Sequence, residues 1–240
     1  MPVSELHARV AAVALAAAAG HGFALGGGNA LLAHGVISRP TQDVDLFTDR
    51  EHGVEALRDA GFEVEREEEA AGLADISPVM GEGLAEWLVT APDGQELTVQ
   101  LAYFDRDRDP VTMEVGPVLD LEDVAGGKVC ALASRVEPRD YADTAQMLKR
   151  YSPAELIGFA RRLDPGLTAR DFAEAGRQLD QIDDEAFARY GLTRRDVTTL
   201  RDRFAGWPRT PQAATARPKE ARPAAERSGA GPGRGPEPGR

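Results

Sequence analysis

Residues 26–47, GGGNALLAHGVISRPTQDVDLF, combine a glycine triplet with two aspartates, Asp43 and Asp45, on an apolar segment. Because side chains alternate faces along a β-strand, an Asp-Val-Asp strand places both carboxylates on one face. Neighbouring carboxylates repel each other, and a hard divalent cation such as Mg²⁺ relieves that repulsion. Glycines, which lack a Cβ, let a phosphate chain approach the backbone N–H groups. The segment therefore predicts metal-dependent phosphoryl or nucleotidyl transfer.

In two-metal transfer, one ion activates the attacking oxygen and the other stabilises the leaving phosphate. Asp43 and Asp45 are predicted to bridge such a pair of Mg²⁺ ions. The predicted nucleotide-binding residues lie between the first glycine and the carboxylates, where backbone N–H groups, a short helix and a loop can reach phosphate oxygens. They are Gly27, Gly28, Asn29, Arg39 and Thr41.

Each part of this segment has a simpler interpretation when it is taken alone. A lone Asp-x-Asp is more often a solvated strand edge, and a glycine triplet is more often a tight turn. A dinucleotide-binding fingerprint is excluded, because G-x-G-x-x-G is absent and no ribose-binding acid follows at the required distance. The order of glycines, short helix and carboxylate pair favours transfer chemistry, and a metal-dependent phosphohydrolase is a less favoured alternative.

The composition limits the cellular setting and the partners. The chain has 240 residues and a net charge of −12, which divides into −15 for residues 1–210 and +3 for residues 211–240. This acidic body argues against a broad non-specific nucleic-acid surface, although a local basic strip is compatible with it. A single cysteine, Cys130, excludes an intrachain disulfide and a cysteine-based zinc cluster, so a cytoplasmic location is predicted.

The apolar run at residues 10–19 is mostly alanine and follows Glu5 and Arg9, which favours a first amphipathic helix over a signal peptide. No apolar run approaches the roughly 20 residues of a membrane span, so no membrane association is predicted.

Hydrophobic periodicity and turn residues predict an alternation of helices and strands, followed by a helical half. The predicted helices are 4–19, 29–34 and 52–60, the predicted strands are 23–25, 43–47 and 61–66, and a β-hairpin joins 86–91 to 96–104. Residues 65–69 are dominated by acid and are predicted to be a solvated edge or loop. Beyond residue 120 the pattern is helical, with capping signals at Ser152, Thr168 and Thr193.

Three regions are predicted. Residues 1–119 form an α/β core, residues 120–207 form a helical domain that completes the site, and residues 208–240 form a disordered tail rich in Pro, Gly, Ala and Arg. Such a tail cannot bury enough apolar area to offset the entropy of ordering.

The run GGGNALLAHG…RPTQDVDLF resembles the nucleotidyltransferase superfamily signature of Gly-Gly/Ser followed by Asp-x-Asp. It more narrowly resembles the AbiEii/AbiGii toxin family of bacterial abortive-infection and toxin–antitoxin systems. The run KVCALASRVEPRDYADTAQML at residues 128–148 resembles that family's downstream K-x-x-A-L…R…R-D-x-x-D element. The resemblance implies a small mixed sheet flanked by helices, with a helical C-terminal half.

The resemblance also implies an activity. This is Mg²⁺-dependent transfer of a nucleotidyl group from an NTP to an RNA, such as a tRNA end, or to a protein hydroxyl. It further implies an antitoxin protein as a partner.

Lys128 lies on a predicted apolar helical stripe with Leu121, Ala125 and Leu132. An ammonium group there either contacts an anion or is carried to water by its long, flexible side chain. The resemblance implies that Lys128 contacts nucleotide phosphate. It also implies that Asp143, and less firmly Asp140, belongs to the active site and orients Lys128 or the nucleotide. The alternative is that the negative charges of these two aspartates only stabilise the N-terminus of their helix through the helix dipole.

Gln100 departs from the superfamily pattern. Nucleotidyltransferases usually carry a third carboxylate on a later strand, and the matching position in LTVQLAYF, residues 97–104, is Gln100. An amide oxygen can bind Mg²⁺ but has no charge and cannot act as a base. Asp105 is a less well-spaced substitute. Reduced metal affinity, a different base, or a catalytically degenerate protein that binds nucleotide or a partner all remain open.

Overall fold

The computed structural model describes residues 5–39, 41, 43–49, 53–80, 83–90 and 93–214. Its strands are β1 (Ala24–Leu25), β2 (Asp43–Thr48), β3 (Ala74–Met80), β4 (Leu84–Thr90), β5 (Glu96–Tyr103), β6 (Val111–Met113) and β7 (Gly116–Val118). Its α-helices are α1 (Glu5–Ala18), α2 (Gly27–Ala33), α3 (Gly53–Ala70), α4 (Leu121–Arg135), α5 (Pro138–Met147), α6 (Pro153–Leu163), α7 (Ala169–Leu179), α8 (Asp184–Ala188), α9 (Arg194–Arg203) and α10 (Pro211–Ala214).

Within these described ranges, seven strands form one mixed sheet in the order β3-β4-β5-β2-β1-β7-β6. Strand β5 pairs in parallel with β2 and antiparallel with β4. The hairpin predicted from the turn between β4 and β5 is therefore confirmed. The mixed sheet, the flanking helices and the helical half together confirm the predicted α/β fold class.

Strand β2 shows the alternation expected from its sequence. Val44, Leu46 and Thr48 are buried on one face, while Asp43 and Asp45 lie on the other face and are partly exposed. Helix α1 packs against α3 on the apolar side of the fold, where its Val10 and Leu15 are buried. The apolar run at residues 10–19 is therefore a core helix up to Ala18, as predicted.

The strand predicted at residues 61–66 is wrong, because α3 continues to Ala70. Leu57, Ala60, Val64 and Glu68 are all buried, and their spacing of three to four residues is that of one helical face. A single glycine at position 61 does not end a helix whose face is buried in this way.

The acidic end of α3 also differs from the prediction of a solvated segment. Glu68 is fully buried, and its carboxylate accepts a hydrogen bond of 2.7 Å from the indole N–H of Trp87 on β4. A tertiary partner that is distant in sequence therefore draws this carboxylate into the interior. Strands β3, β6 and β7 were not predicted.

The helical half begins with α4, and all three predicted capping boxes are present at the starts of α6, α7 and α9. The short helix α10 lies in the region predicted to be a disordered tail, and the remainder of that tail, residues 215–240, lies outside the described residues. The division into domains stays a prediction. No helix in the described part of the chain is both long and apolar enough to cross a membrane.

Candidate functional site

An open cleft of about 770 Å³ lies between the polar face of β2, β4 and β5 and the helix α4. Most of the residues that the sequence predicts for the site line this cleft. They are Gly27, Gly28, Arg39, Thr41, Asp43, Asp45, Gln100 and Lys128. Residues from positions 27 to 128 are therefore brought together at one place by the sheet and α4.

The first turn of α2 lies directly against the Asp45 carboxylate. Gly27 has a φ of +55°, and a Cβ added there would lie 1.7 Å from Oδ2 of Asp45. The backbone N–H of Gly26 donates to the carbonyl oxygen of Asp45 over 2.8 Å. Glycine is thus required at position 27 for two reasons, its left-handed backbone and the space that the carboxylate occupies.

We expect Gly27→Ala to impair both folding and the site. A left-handed alanine costs roughly 1 kcal/mol, and the clash with Asp45 adds about 2 kcal/mol or displaces the carboxylate. Gly72→Ala is the matched control, because Gly72 has a φ of +75° but nothing within 4 Å of an added Cβ. Urea denaturation measures the free energy of unfolding of both variants. Equal losses in the two would show that the contact with Asp45 does not add to the cost of the substitution.

Asp45 is electrostatically unusual. Burial raises the pKa of its carboxyl above the ordinary value, the charge of Lys128 lowers it, and the charge of Asp43 raises it again. Such a pair of carboxylates is a natural ligand for a cation. Within the described residues, no group of three or more His, Cys, Asp or Glu side chains could hold a metal ion. Any metal here therefore depends on Asp43 and Asp45 together with neutral oxygen ligands.

Asn29 and Thr41 form buried hydrogen bonds behind the site. Both are buried, and the Thr41 hydroxyl donates to the Asn29 side-chain oxygen over 2.8 Å. The Asn29 amide in turn donates to the carbonyl oxygen of Asp43 over 2.6 Å. In this structure the two side chains join α2 to the start of β2, while phosphate contact by either one stays a prediction.

Asp143 is the centre of a buried ion cluster. Its carboxylate is 1 % exposed, lies 3.0 Å from Nζ of Lys128 and accepts hydrogen bonds from Nε and Nη2 of Arg39 over 2.7–3.2 Å. Lys128 therefore meets an anion on its helical stripe. That Asp143 orients Lys128 or the nucleotide in an active site stays a prediction.

Asp140 has a different partner. It is fully buried and accepts two hydrogen bonds of 2.8 Å from the guanidinium of Arg135, which lines the cleft. Neither Asp140 nor Asp143 is among the residues that line the cleft itself. Both aspartates of the downstream element therefore hold cations at the cleft wall.

Gln100 lies between two acids in one row across the sheet. Its register partners are Asp45 on β2 and Glu86 on β4, and its Nε2 donates to the Glu86 carboxylate. Glu86 lines the cleft, whereas Asp105, the substitute considered above, does not. Sequence reasoning missed Glu86, although the register of the predicted hairpin would have identified it.

Other cleft residues were also not predicted. Nη1 of Arg139 lies 4.0 Å from the Asp43 carboxylate. Phe47 and Phe104 form an aromatic pair with ring centroids 5.4 Å apart. The loop after α8 contributes Arg189, Tyr190 and Gly191. The arginines Arg135 and Arg139 stand in the quoted downstream element, while nothing in the sequence marks the α8 loop.

Cys130 lies on α4 and is partly buried. Its thiol contacts the carbonyl oxygen of Ala160 over 3.5 Å, and burial raises its pKa to about 12. A thiol that stays protonated at neutral pH is a poor nucleophile.

Two solved structures from Helicobacter pylori have the same fold as this chain. JHP933 from Helicobacter pylori superposes with a TM-score of 0.54 at 16% identity, covering 84% of this chain and 91% of its own. A predicted nucleotidyltransferase from Helicobacter pylori gives 0.54 at 14% identity, covering 85% and 94%. The nucleotidyltransferase toxin MenT4 from Mycobacterium tuberculosis gives 0.45 at 14% identity, covering 77% and 75%. No curated protein matches the sequence.

A family model extends over nearly all of the described chain. It is that of the nucleotidyl transferase AbiEii toxin of type IV toxin–antitoxin systems, and it matches residues 11–216. This range includes the glycine turn, the Asp-Val-Asp strand and the Lys128–Asp143 cluster. The chain therefore belongs to the AbiEii nucleotidyltransferase toxin family.

Proposed function

We propose that this protein transfers a nucleotidyl group from an NTP to a hydroxyl of an RNA or protein acceptor in a Mg²⁺-dependent reaction. The acceptor oxygen forms a bond to the α-phosphorus, and the bond from that phosphorus to the bridging oxygen of the β-phosphate breaks. Pyrophosphate leaves with the bonding electron pair, and the hydroxyl proton passes to water. The observation that carries the proposal is the Asp43–Asp45 pair, with Asp45 packed against Gly27, in the cleft that also contains Lys128.

The donor atoms of the cleft suit magnesium. The groups available beside β2 are the carboxylates of Asp43 and Asp45 and the amide of Gln100, which all offer oxygen. Hard cations such as Mg²⁺ prefer oxygen ligands and usually retain waters or substrate phosphates in the remaining positions. When bound, Mg²⁺ neutralises the developing phosphate charge.

Other residues that line the cleft bind and orient the nucleotide. Gly27 and Gly28 line the cleft in the first turn of α2, and we expect their backbone N–H groups to donate to phosphate oxygens, because neither residue has a side chain in the way. Lys128 is held by Asp143 over 3.0 Å, so its ammonium is fixed at the cleft wall before substrate arrives. A pre-positioned cation stabilises phosphate charge without a reorganisation cost during the reaction.

Glu86 determines which end of the Gln100 amide faces Asp45. A carboxylate only accepts hydrogen bonds, so the NH₂ group of Gln100 must face Glu86 and its carbonyl oxygen must face away. The neighbour on that other side of β5 is Asp45. Gln100 is thus able to serve as a neutral oxygen ligand in place of the usual third carboxylate.

We expect Glu86→Gln to weaken Mg²⁺ binding by about tenfold, because residues that orient metal ligands typically contribute on this scale. The amide of Gln100 can then rotate and offer its NH₂ group to the site. Glu96→Gln is the control, since Glu96 is an exposed carboxylate at the start of the same strand, β5. Calorimetric titration with Mg²⁺ in the presence of NTP measures the change, and identical affinities for both variants would contradict this role.

Incubation with Mg²⁺, each labelled NTP and either total RNA or cell lysate tests the proposed function. Label entering one acceptor class in a Mg²⁺-dependent manner is the expected result. Binding of NTP without incorporation into any acceptor would favour a catalytically degenerate nucleotide-binding or partner-binding protein. Cleavage of NTP without an acceptor would favour a phosphohydrolase.

The family assignment to toxin–antitoxin systems extends the proposal to a partner and a location. We propose that an antitoxin protein counteracts the transferase, and that the reaction takes place in the cytoplasm, where NTPs and RNA are available. Co-expression of the neighbouring gene with this chain tests the first point, because a cognate antitoxin restores growth that the chain alone arrests.

A further inference from the structure

Tyr190 lies where two cavities of the molecule meet. A second cavity of about 540 Å³ adjoins the cleft beside β2, and its walls come from the loop after α2, from α5, from the loop after α8 and from α9. Arg39, Tyr190 and Gly191 line both cavities. Tyr190 therefore borders the space that the carboxylates of β2 also line, although nucleotide binding and metal binding give it no role.

The other tyrosines of the chain lie elsewhere. All four tyrosines are among the described residues, and Tyr190 is the one that lines the cleft. Tyr103 is the last residue of β5. Tyr141 is fully buried, and its hydroxyl donates to a backbone carbonyl oxygen of α7 over 2.6 Å. Tyr151 lies between α5 and α6 and packs edge-on against Phe159, with ring centroids 5.0 Å apart.

Two threonines also line the cleft, but each is fixed by its surroundings. Thr41 is buried, and its hydroxyl donates to the Asn29 side chain over 2.8 Å. Thr98 is the register partner of Asp43, so it cannot move without breaking the pairing of β2 with β5. Tyr190 follows α8 in a turn outside the sheet, and its hydroxyl forms no hydrogen bond with the described part of the chain. Its side chain can therefore rotate toward a bound nucleotide.

The turn after α8 combines a buried anchor with cations. Phe187 is fully buried, and its carbonyl oxygen accepts a hydrogen bond from the backbone N–H of Tyr190 over 3.0 Å. The guanidinium of Arg189 lies over the Tyr190 ring, 5.1 Å from its centroid. Arg39 and Arg139 line the same cleft. Guanidinium groups bind phosphate oxygens strongly, so these cations suit a phosphate group that is held next to the phenol.

We propose that Tyr190 is a self-modification site, to which the protein transfers a nucleotidyl group from NTP within one chain. The phenol oxygen forms a bond to the α-phosphorus, and the bond from that phosphorus to the bridging oxygen of the β-phosphate breaks. Pyrophosphate leaves with the bonding electron pair, and the phenol proton passes to water. This inference rests on the proposed nucleotidyl transfer and adds an acceptor inside the chain to any external one.

Two general properties of such a site favour the reaction. Tyrosine is one of the side chains that act as nucleophiles and become covalently modified in enzymes. Transfer within one chain also avoids the entropic cost of bringing an acceptor to the nucleotide, because the fold already holds both in one cleft. A nucleotide on Tyr190 would carry a negative phosphodiester beside Arg189, which compensates that charge.

Incubation of the full chain with Mg²⁺ and NTP labelled at the α-phosphate, without RNA or any other protein, tests the proposal. Ribonuclease treatment and denaturing electrophoresis ensure that the label measured is bound covalently to the chain. Tyr190→Phe should lose nearly all of the label, because it keeps the ring but has no oxygen to attack phosphorus. Tyr151→Phe is the matched control and should be labelled as the native protein is, since Tyr151 lines neither cavity. Asp45→Asn should remain unlabelled, because it lacks a metal ligand.

Peptide mass spectrometry of the labelled native protein tests the site without any substitution, and the nucleotide should lie on Tyr190. The labelled fraction of the chains should not depend on protein concentration. Label on another residue, equal labelling of Tyr190→Phe and native protein, or labelling that rises in proportion to protein concentration would overturn the inference. Label in an external acceptor with none on the chain would also overturn it and leave the proposed function intact. Absence of label from the chain and from every acceptor would instead contradict the proposed function.

Discussion

Asp45→Asn is expected to abolish nucleotidyl transfer and, at the same time, to raise the melting temperature of the metal-free protein. Burial raises the pKa of Asp45, and the neighbouring charge of Asp43 adds to this effect, so the ionised carboxylate costs folding free energy at neutral pH. A neutral amide of the same shape removes that cost. Catalysis loses a metal ligand worth several kcal/mol in the transition state, which lowers the rate by about a thousandfold or more.

The two effects of Asp45→Asn separate a functional role from a structural one. Native protein should gain thermal stability when Mg²⁺ and NTP are added, and the variant should lose most of that gain. Asp93→Asn is a control, because Asp93 lies in the turn between β4 and β5, away from the cleft. A variant that keeps full activity, or that melts earlier than native protein without metal, would refute the assignment of Asp45.

Asp143→Asn is expected to give the largest loss of stability. Its carboxylate is buried between Arg39 and Lys128, and the substitution removes the anion that both cations contact. Breaking a buried ion pair in this way costs about 3 kcal/mol or more. Since Lys128 also loses its fixed position, the KM for NTP should rise in whatever fraction remains folded.

An exposed ion pair is the matched control for Asp143. Asp184 pairs with Arg201 over 3.1 Å at the surface, so Asp184→Asn should cost less than about 1 kcal/mol. Urea denaturation, followed by circular dichroism, compares the two unfolding free energies. Equal values for the two variants would mean that the Asp143 cluster contributes no more than a surface pair.

The polar face of β2 could be predicted because it depends on neighbours in sequence. Strand alternation places Asp43 and Asp45 together whatever surrounds them, and the structure has Val44 on the opposite, buried face. The capping boxes of α6, α7 and α9 could be predicted for the same reason, since each joins residues three positions apart. Such features need only local geometry.

Helix α3 shows where local patterns mislead. Gly61 and the acidic residues near its end favour a break, yet the helix continues because Val64 and Glu68 are buried on its inner face. The hydrogen bond from Trp87 to Glu68 joins positions 19 apart in sequence. Burial against a partner strand outweighs the local preference of each residue.

The short-range features of this chain, namely the glycine turn, the Asp-Val-Asp strand and the helix caps, are already evident in its sequence, because each depends on residues within one turn or one strand. The pairing of Arg39 with Asp143, 104 positions later, arises only when α5 docks beside the loop after α2. The Asp45–Gln100–Glu86 row likewise requires the registers of three strands. Which charges pair depends on three-dimensional proximity, which sequence separation does not specify, and so only tertiary packing determined the wall of the cleft.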